Sequence, residues 1–320
     1  MAFNDSNMDL LTRSELWSAE LKDVLLDDLN AMQWMRWMTD FPDGDTFTIP
    51  SIGEGTVRDY VEDTDVTMDA MDTGEFQFTI TDYVSSGNYI TDKQKQDSFY
   101  VNQLIASFIP KQRRAIMERL ETDILALVNE QTTGANNSIN NAEHRYAANG
   151  TSDVVSLEDV AYAKYALKKA NVPLVNLVGI VDPSVAFDFE TATNLVNVSN
   201  NPKWEGVITE GLTTGMRFVK NVYGFDIWES NYLPTTTETI NDRDDVANDF
   251  SSGNTPVVNM FFSAAGGDIN PFIGAWREMP TVEPFRNVSK RRDEFSTTAR
   301  YGKKLFRPEN LVGVISRINI

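Results

Sequence analysis

Apolar positions recur at helical spacing near the start of the chain. Leu21, Leu25, Leu29 and Met32 lie three or four residues apart, with Trp17, Val24 and Met35 widening the stripe. This pattern predicts a helix over about 13–38, crowded at its end by Trp34, Trp37 and Met38 and stopped by Phe41-Pro42-Asp43-Gly44. The period then falls from 3.6 to 2. Phe47 and Ile49 alternate with Thr46 and Thr48, and Phe76, Phe78 and Ile80 alternate with Glu75, Gln77, Thr79 and Thr81. Residues 45–97 therefore read as extended and exposed. Between the two strands runs an acidic, glycine-containing stretch with Glu54, Asp59, Glu62, Asp63, Asp65, Asp69 and Asp72. Such a hairpin buries little against itself and needs another surface over its apolar face.

The longest helical pattern covers 98–131. Leu104, Phe108, Met117, Leu120, Ile124, Leu127 and Val128 form its stripe, opposite Arg113, Arg114, Glu118 and Glu121. A helix of that span would run about 51 Å. Pro110 inside it predicts a kink or a boundary between two collinear helices. An Asn-rich loop is expected from 132 to about 151. Ser156, with Asp159 at the N3 position, starts a helix over 157–170. A short buried strand follows at 174–181, and Asp182-Pro183 opens another helix. Residues 197–215 read as loop around Trp204, and 235–254 as polar loop. Strands are expected at 216–222, 225–230, 257–263, 281–287 and about 311–318. Without an internal repeat or a βαβ rhythm, the class is α+β, in two lobes with a projecting arm.

Composition narrows the chemistry. The 320 residues are 41% apolar and 23% charged, which fits a folded chain with a sizeable core. Net charge is −19, which argues against an outer surface that grips nucleic acid or anionic membrane through a basic field. The charge is uneven. Residues 1–97 hold 21 acidic and 6 basic side chains, and residues 286–320 hold 9 basic and 3 acidic. The two ends can neutralise each other within one copy, or steer one copy onto the next. Zero cysteines remove disulfides, thiol nucleophiles and Cys-based metal sites. No signal-like start and no run of about 20 apolar residues is present, so a soluble protein without membrane contact is expected.

Catalytic sets are missing. Gly-x-Gly-x-x-Gly, a phosphate-binding loop and Gly-x-Ser-x-Gly are all absent. The one histidine, His144, falls in a polar Asn- and Ala-rich loop and is expected to be solvent-exposed and without function. Asp43/Asp45, Asp63/Asp65 and Asp242/Asp244/Asp245 could hold a hard cation, but Gly253 stands where a calcium loop would need glutamate. They read as solvated acidic faces, so neither a catalytic residue nor a cofactor or metal ligand is assigned. A cation-dependent hydrolase using Asp242 or Asp244 is the enzymatic alternative, and a soluble oligomeric binding module is another. The basic run of Arg286, Lys290, Arg291, Arg292, Arg300, Lys303, Lys304 and Arg307 reads as pairing with the acidic arm, internally or between subunits.

The order of these elements resembles the major capsid protein of tailed double-stranded DNA bacteriophages, the Hong Kong 97-type fold. An N-terminal arm, an acidic hairpin, one long helix and a mixed α/β middle are followed by a strand beside a basic stretch. Three phrases carry the likeness: Leu177-Val178-Gly179-Ile180-Val181-Asp182-Pro183, Val222-Tyr223-Gly224-Phe225-Asp226-Ile227-Trp228-Glu229-Ser230-Asn231, and Tyr301-Gly302-Lys303-Lys304-Leu305-Phe306-Arg307-Pro308-Glu309-Asn310-Leu311-Val312. The resemblance implies an N-terminal arm at 1–42, an E-loop at 43–97 and a peripheral (P) domain at 98–172 with its spine helix at 98–131. An axial (A) domain at 173–280 and C-terminal peripheral strands at 281–320 would complete the subunit.

That family implies a structural, non-enzymatic head protein, made in the host bacterial cytoplasm and assembled as hexamers and pentamers into an icosahedral virion shell. Its partners would be copies of itself, a separate scaffolding protein or none (the arm helix starts by residue 13, leaving no room for a fused scaffold), a portal protein at one vertex and a decoration protein in some members. Double-stranded DNA would be enclosed without sequence-specific binding. A tail or portal-associated subunit is the nearest alternative. Expected intersubunit contacts are Trp17, Trp34 and Trp37 in the arm, Phe76, Phe78 and Ile80 laid on a neighbour's spine helix, and Arg291, Arg292, Lys303 and Lys304 in the basic stretch. Pro110 is the expected bend in the spine.

Overall fold

The computed structural model describes residues 29, 31–38, 46–52, 58–59, 61–63, 65, 73–97, 101–131, 135–191, 221–251 and 256–317. In chain order the main elements begin with β1 (Met35–Met38), β2 (Thr46–Ile52), β3 (Thr73–Thr79) and β4 (Asp82–Thr91). Helices α1 (Asp92–Asp97) and α2 (Val101–Leu125) follow, then β5 (Arg145–Ala147), α3 (Leu157–Lys169), β6 (Leu177–Val181) and α4 (Pro183–Thr191). The last are β7 (Asn221–Val222), β8 (Phe225–Glu229), β9 (Pro256–Ser263), β10 (Phe272–Asn287), β11 (Arg292–Leu305) and β12 (Leu311–Arg317).

Two sheets organise these elements. The first has strand order β5-β12-β9-β6-β8-β7. Its central strands are apolar without alternation because both faces are covered, as the fully buried β6 and β9 record. Period-2 geometry then divides their side chains between two cores. Val178, Ile180, Val258, Met260, Phe262 and Ile315 join Leu120, Ile124 and Val128 of the α2 region. Leu177, Val181, Phe261, Val312 and Val314 face Val160, Ala163 and Leu167 of α3 and Phe189 of α4. The Ser156 capping box forms as the sequence indicates: Ser156 Oγ accepts from Asp159 N at 3.2 Å, and Asp159 Oδ2 accepts from Ser156 N at 2.8 Å.

The second sheet has order β1-β10-β11-β4 and is built around one long antiparallel hairpin. Helix α2 lies along it. Gln112, Ile116, Leu120 and Ile124, four residues apart, are its buried side, and Gln112 Nε2 donates to Phe295 O at 3.2 Å while Gln112 Oε1 accepts from Thr297 Oγ1 at 2.9 Å.

Several expectations change. Residues 31–34 form a 3-10 turn and 35–38 a strand parallel to Phe272–Ala275, so the end of the expected 13–38 helix is not helical; its start lies outside the described residues. The 281–287 strand is the outer half of the 16-residue β10, and the basic stretch after it is the 14-residue β11. The 132–151 loop contains a short hairpin, Ser138–Ile139 with Ala142–Glu143, and then β5. A second one, Thr239–Asn241 with Ala247–Asp249, interrupts the 235–254 loop. Pro110 lies inside one uninterrupted helix, not at a boundary between two. The closing strand β12 pairs with β9 in the six-stranded sheet, apart from the long hairpin. The 197–215 loop lies outside the described residues.

Where α2 ends, the chain tightens to a 3-10 turn over Ala126–Glu130, and a buried arginine holds it. Arg145 has no exposed side-chain surface; its Nη1 donates to Val128 O at 3.1 Å and its Nη2 to Asn129 Oδ1 at 3.1 Å and to Glu238. Removing it takes the cation from the nearly buried Glu238 carboxylate and one donor from the Val128 carbonyl at the helix end. Arg145→Met is therefore expected to destabilise the chain by about 3–5 kcal/mol, read as a lower urea midpoint. A midpoint equal to wild type would contradict this role.

Candidate assembly surfaces

The β2–β3 hairpin pairs in the register its alternation implies, with Phe47 opposite Phe78 and Ile49 opposite Phe76. Its apolar face is covered at the root by the chain itself. Phe78 and Ile80 are buried with Ile273 and Ala275, and Met38, Ile49, Phe76 and Phe306 close the cluster. This corrects the expected docking of Phe78 and Ile80 on a neighbour's helix, because neither retains surface for another subunit. Close approach depends on Gly302: a Cβ there would lie 3.0 Å from Ile80 Cα, Phe78 Cζ and Thr79 O. Phe76, half-buried, meets Phe306 edge-on at 5.1 Å between ring centroids. Lys304 lies 4.9 Å over the Phe76 ring and donates to Gln77 O at 2.8 Å.

The arm tryptophans divide. Trp17 is outside the described residues. Trp34 is buried, edge-on to Trp228 at 5.4 Å and to Phe262 at 5.9 Å. Trp37 stacks on Trp276 at 5.4 Å and its Nε1 donates to Met32 O at 3.3 Å. Both tie the start of the described chain to its own sheets; Trp34 is taken up by the core, while Trp37 stays partly exposed.

Most of the basic stretch is paired internally. Lys303 sits between Asp82 at 3.0 Å and Asp123 at 2.9 Å, and Asp123 Oδ2 also accepts from Tyr301 OH at 2.7 Å. Burial, followed by the bond to Asp123, pushes the Tyr301 phenol well above its ordinary range. Arg286 binds both oxygens of Asp92, at 2.6 and 2.7 Å, and one of Asp293, while Lys95 pairs with Asp293. The hydrogen bond from Arg286 holds the Asp92 carboxyl below its usual range, and the bond from Lys95 does so for Asp293. Arg292 pairs with Glu294 at 2.6 Å and lies 4.3 Å over Tyr89. Arg291, at the turn, is exposed. Internal pairing with the acidic segment thus occupies Arg286 and Lys303, through Asp92 and Asp82.

Acidic groups weighed for catalysis serve turns. Asp242 is buried, and its Oδ1 accepts from Asp244 N at 2.8 Å and Val246 N at 2.9 Å. Among the described residues no group of three or more His, Cys, Asp or Glu side chains could hold a metal ion. No helix among them is long and apolar enough to cross a membrane. His144 is a correction: it is fully buried, and Gly313 N donates to its carbonyl at 2.8 Å. The polar sequence around it hid this, because its neighbours Arg145 and Tyr146 are drawn inward by β5 pairing with β12.

The fold is that of a shell protein. A family model described as phage capsid protein matches residues 72–313, more than half of the chain, and the chain belongs to that family. Solved structures share the α+β fold of Hong Kong 97-type capsids. A chain from Mycobacterium phage Che8 is 19% identical with a TM-score of 0.68, covering 98% of each chain. The capsid of cyanophage P-SCSP1u is 14% identical with a TM-score of 0.70, covering 96% of this chain and 94% of that one. The cyanophage Pam1 capsid is 13% identical with a TM-score of 0.70, covering 96% and 97%. Comparison with curated protein sequences finds no match. The protein is a structural component of the virion capsid.

Burial lowers the His144 imidazole below its ordinary 6.5, with the backbone oxygens of Ala142 and Glu309 partly offsetting it. The unfolded chain takes up a proton below about pH 6.5 that the folded chain refuses, so this contribution is present above that pH and lost as pH falls toward the lowered value. Unfolding free energy measured between about pH 7 and 5 is expected to fall more steeply in wild type than in His144→Gln. Parallel curves would contradict the assignment.

Proposed function

We propose that the chain is the major capsid subunit of a tailed double-stranded DNA bacteriophage, assembling as hexamers and pentamers into an icosahedral shell. What supports this reading is the near-complete coverage: single chains of two cyanophage capsids each match over 96% of this chain, in one α+β arrangement. In this reading the N-terminal arm is 1–42, the E-loop 43–97 and the peripheral domain 98–172 plus 281–320, with 173–280 the axial domain. The pairing of β12 with β9 favours counting 311–317 with the axial sheet, and β10 carries the peripheral sheet back to Phe272. Helix α2 is the spine. Pro110 lacks an amide donor, which makes it the place where the spine bends at least cost.

The shell encloses double-stranded DNA without sequence-specific binding, as suits a net charge of −19. A separate scaffolding protein guides assembly in the host cytoplasm, and a portal protein occupies one vertex. Trp17 remains a candidate arm contact. Purified chain imaged by electron microscopy under assembly conditions is expected to give closed shells with six- and five-fold capsomers. Monomers or open tubes alone would overturn the reading.

A further inference from the structure

Helix α3 carries positive charge that no carboxylate answers among the described residues. It lies on the face of the six-stranded sheet opposite α2, buried through Val160, Ala163, Ala166 and Leu167. Its outward side over the last two turns is Lys164, Tyr165, Lys168 and Lys169. Glu158, the acid at the start of this side, is already held by Arg243 at 2.5 Å. Basic residues in a last turn complement the helix dipole, which accounts for Lys168 and Lys169 but not for Lys164 or the tyrosines beside it.

A second tyrosine joins this side from the turn between β7 and β8. Tyr223 and Gly224 both take positive φ, 50° and 97°, and Asn221 Oδ1 accepts from Gly224 N at 3.0 Å, so the two-residue turn is tight. Lys164 Nζ donates to Tyr223 O at 2.8 Å and ties that turn to the helix. A Cβ at 224 would come within 3.3 Å of the same ammonium. Lys169 Nζ lies 6.0 Å over the Tyr165 ring. Tyr165 and Tyr223 are 46% and 52% exposed, so both rings stay available beside the lysines. Lys164 and Lys168 are one turn apart, about 6 Å along the axis at ~1.5 Å per residue. That is close to two phosphate steps of one DNA strand at ~3.4 Å each.

The make-up of this surface selects its partner. Lysine is depleted where protein meets protein, whereas surfaces that meet nucleic acid are polar, wet and positive, with lysine and tyrosine donating to phosphate. We propose that the α3 face, through Lys164, Lys168, Lys169, Tyr165 and Tyr223, meets the phosphate backbone of the enclosed duplex DNA. This rests on the assembly reading above, and turns the α3 side of the six-stranded sheet toward the lumen. Contacts to phosphate carry no sequence information. Three lysines neutralise about three phosphates, a weak contact that every copy of the shell repeats. The net charge of −19 keeps it local.

The test is binding of a short random-sequence DNA duplex to the unassembled full chain, read by fluorescence anisotropy. Between about 50 and 200 mM salt, wild-type affinity is expected to fall about 40-fold, the dependence of about three released counterions. Lys164→Gln, Lys168→Gln and Lys169→Gln together are expected to flatten this to less than about threefold, while arginine at all three positions keeps it. Glutamine retains helix propensity, so circular dichroism should match wild type. If the triple variant fails to fold, Lys168→Gln with Lys169→Gln replaces it, with about two thirds of the loss in slope. A control set on the four-stranded sheet, Lys93→Gln, Lys290→Gln and Arg291→Gln, is expected to leave the slope unchanged. Polyglutamate of matched length is expected to bind at least about tenfold more weakly than the duplex. Closed shells should ignore duplex added outside. Wild type without salt-dependent binding, a glutamine variant with the wild-type slope, or an equal loss from the control set would each overturn the contact and leave the assembly reading standing. So would polyglutamate bound as tightly as DNA, which points to an acidic protein partner, or closed shells that bind external duplex through these lysines. Absence of shells from wild type overturns the assembly reading, and the contact with enclosed DNA with it.

Discussion

One packing contact sets the direction of everything that projects from this chain. Phe78 and Ile80 press onto Ile273 and Ala275, and Gly302 lets the backbones meet. Past this contact the chain keeps its direction along β11: β4 starts at Asp82 opposite Tyr301 and runs to Thr91 opposite Arg292. The acidic hairpin and the basic turn are thereby sent apart. A larger residue at 302 would move the root of the arm, and with it the geometry of any contact the arm makes.

Around that root the subunit is tied by polar bonds as well as by its cores. Asp123 on α2 joins Tyr301 and Lys303 on the long hairpin, and Arg145 on the six-stranded sheet holds the helix end. Asn259, buried in the middle of β9, bonds Asp182 N, Val314 O and Ser316 Oγ, so a central strand carries an amide without an unsatisfied group. Such satisfied networks add geometric definition to cores that apolar packing alone would allow to slide. A definite subunit shape suits a shell, since small angular errors repeat at every copy.

The acidic hairpin was legible from alternation, and its Phe47–Phe78 and Ile49–Phe76 pairs follow directly from period 2. The capping box at Ser156 and the buried strands β6 and β9 were equally plain, because each rests on local pattern. The long hairpin was not. Its outer half is mostly exposed along β10 and half-buried along β11, so no apolar alternation marks β11, and its charged residues read as a basic run. Trp34 and Trp37 misled in the other direction: helical spacing suited them, but Trp34 closes a 3-10 turn and pairing with Phe272–Ala275 draws Trp37 into a strand. His144 and Arg145 show the same limit. Their burial comes from a non-local partner, Gly313, that no neighbouring residue announces. Which side chains remain free for other copies depended on such pairings, so Arg291 stayed exposed while Phe78 and Ile80 did not.

The central claim is that the close contact at Gly302 sets the root of the β2–β3 arm and, through it, the subunit's fit in a shell. A Cβ at this position meets Ile80 Cα, Phe78 Cζ and Thr79 O at 3.0 Å, so a branched side chain has to displace the arm. The most direct measurement is electron microscopy of Gly302→Val under assembly conditions, with circular dichroism checking that the subunit folds. The account predicts a folded subunit that gives few or no closed shells. Closed shells at wild-type yield would contradict it.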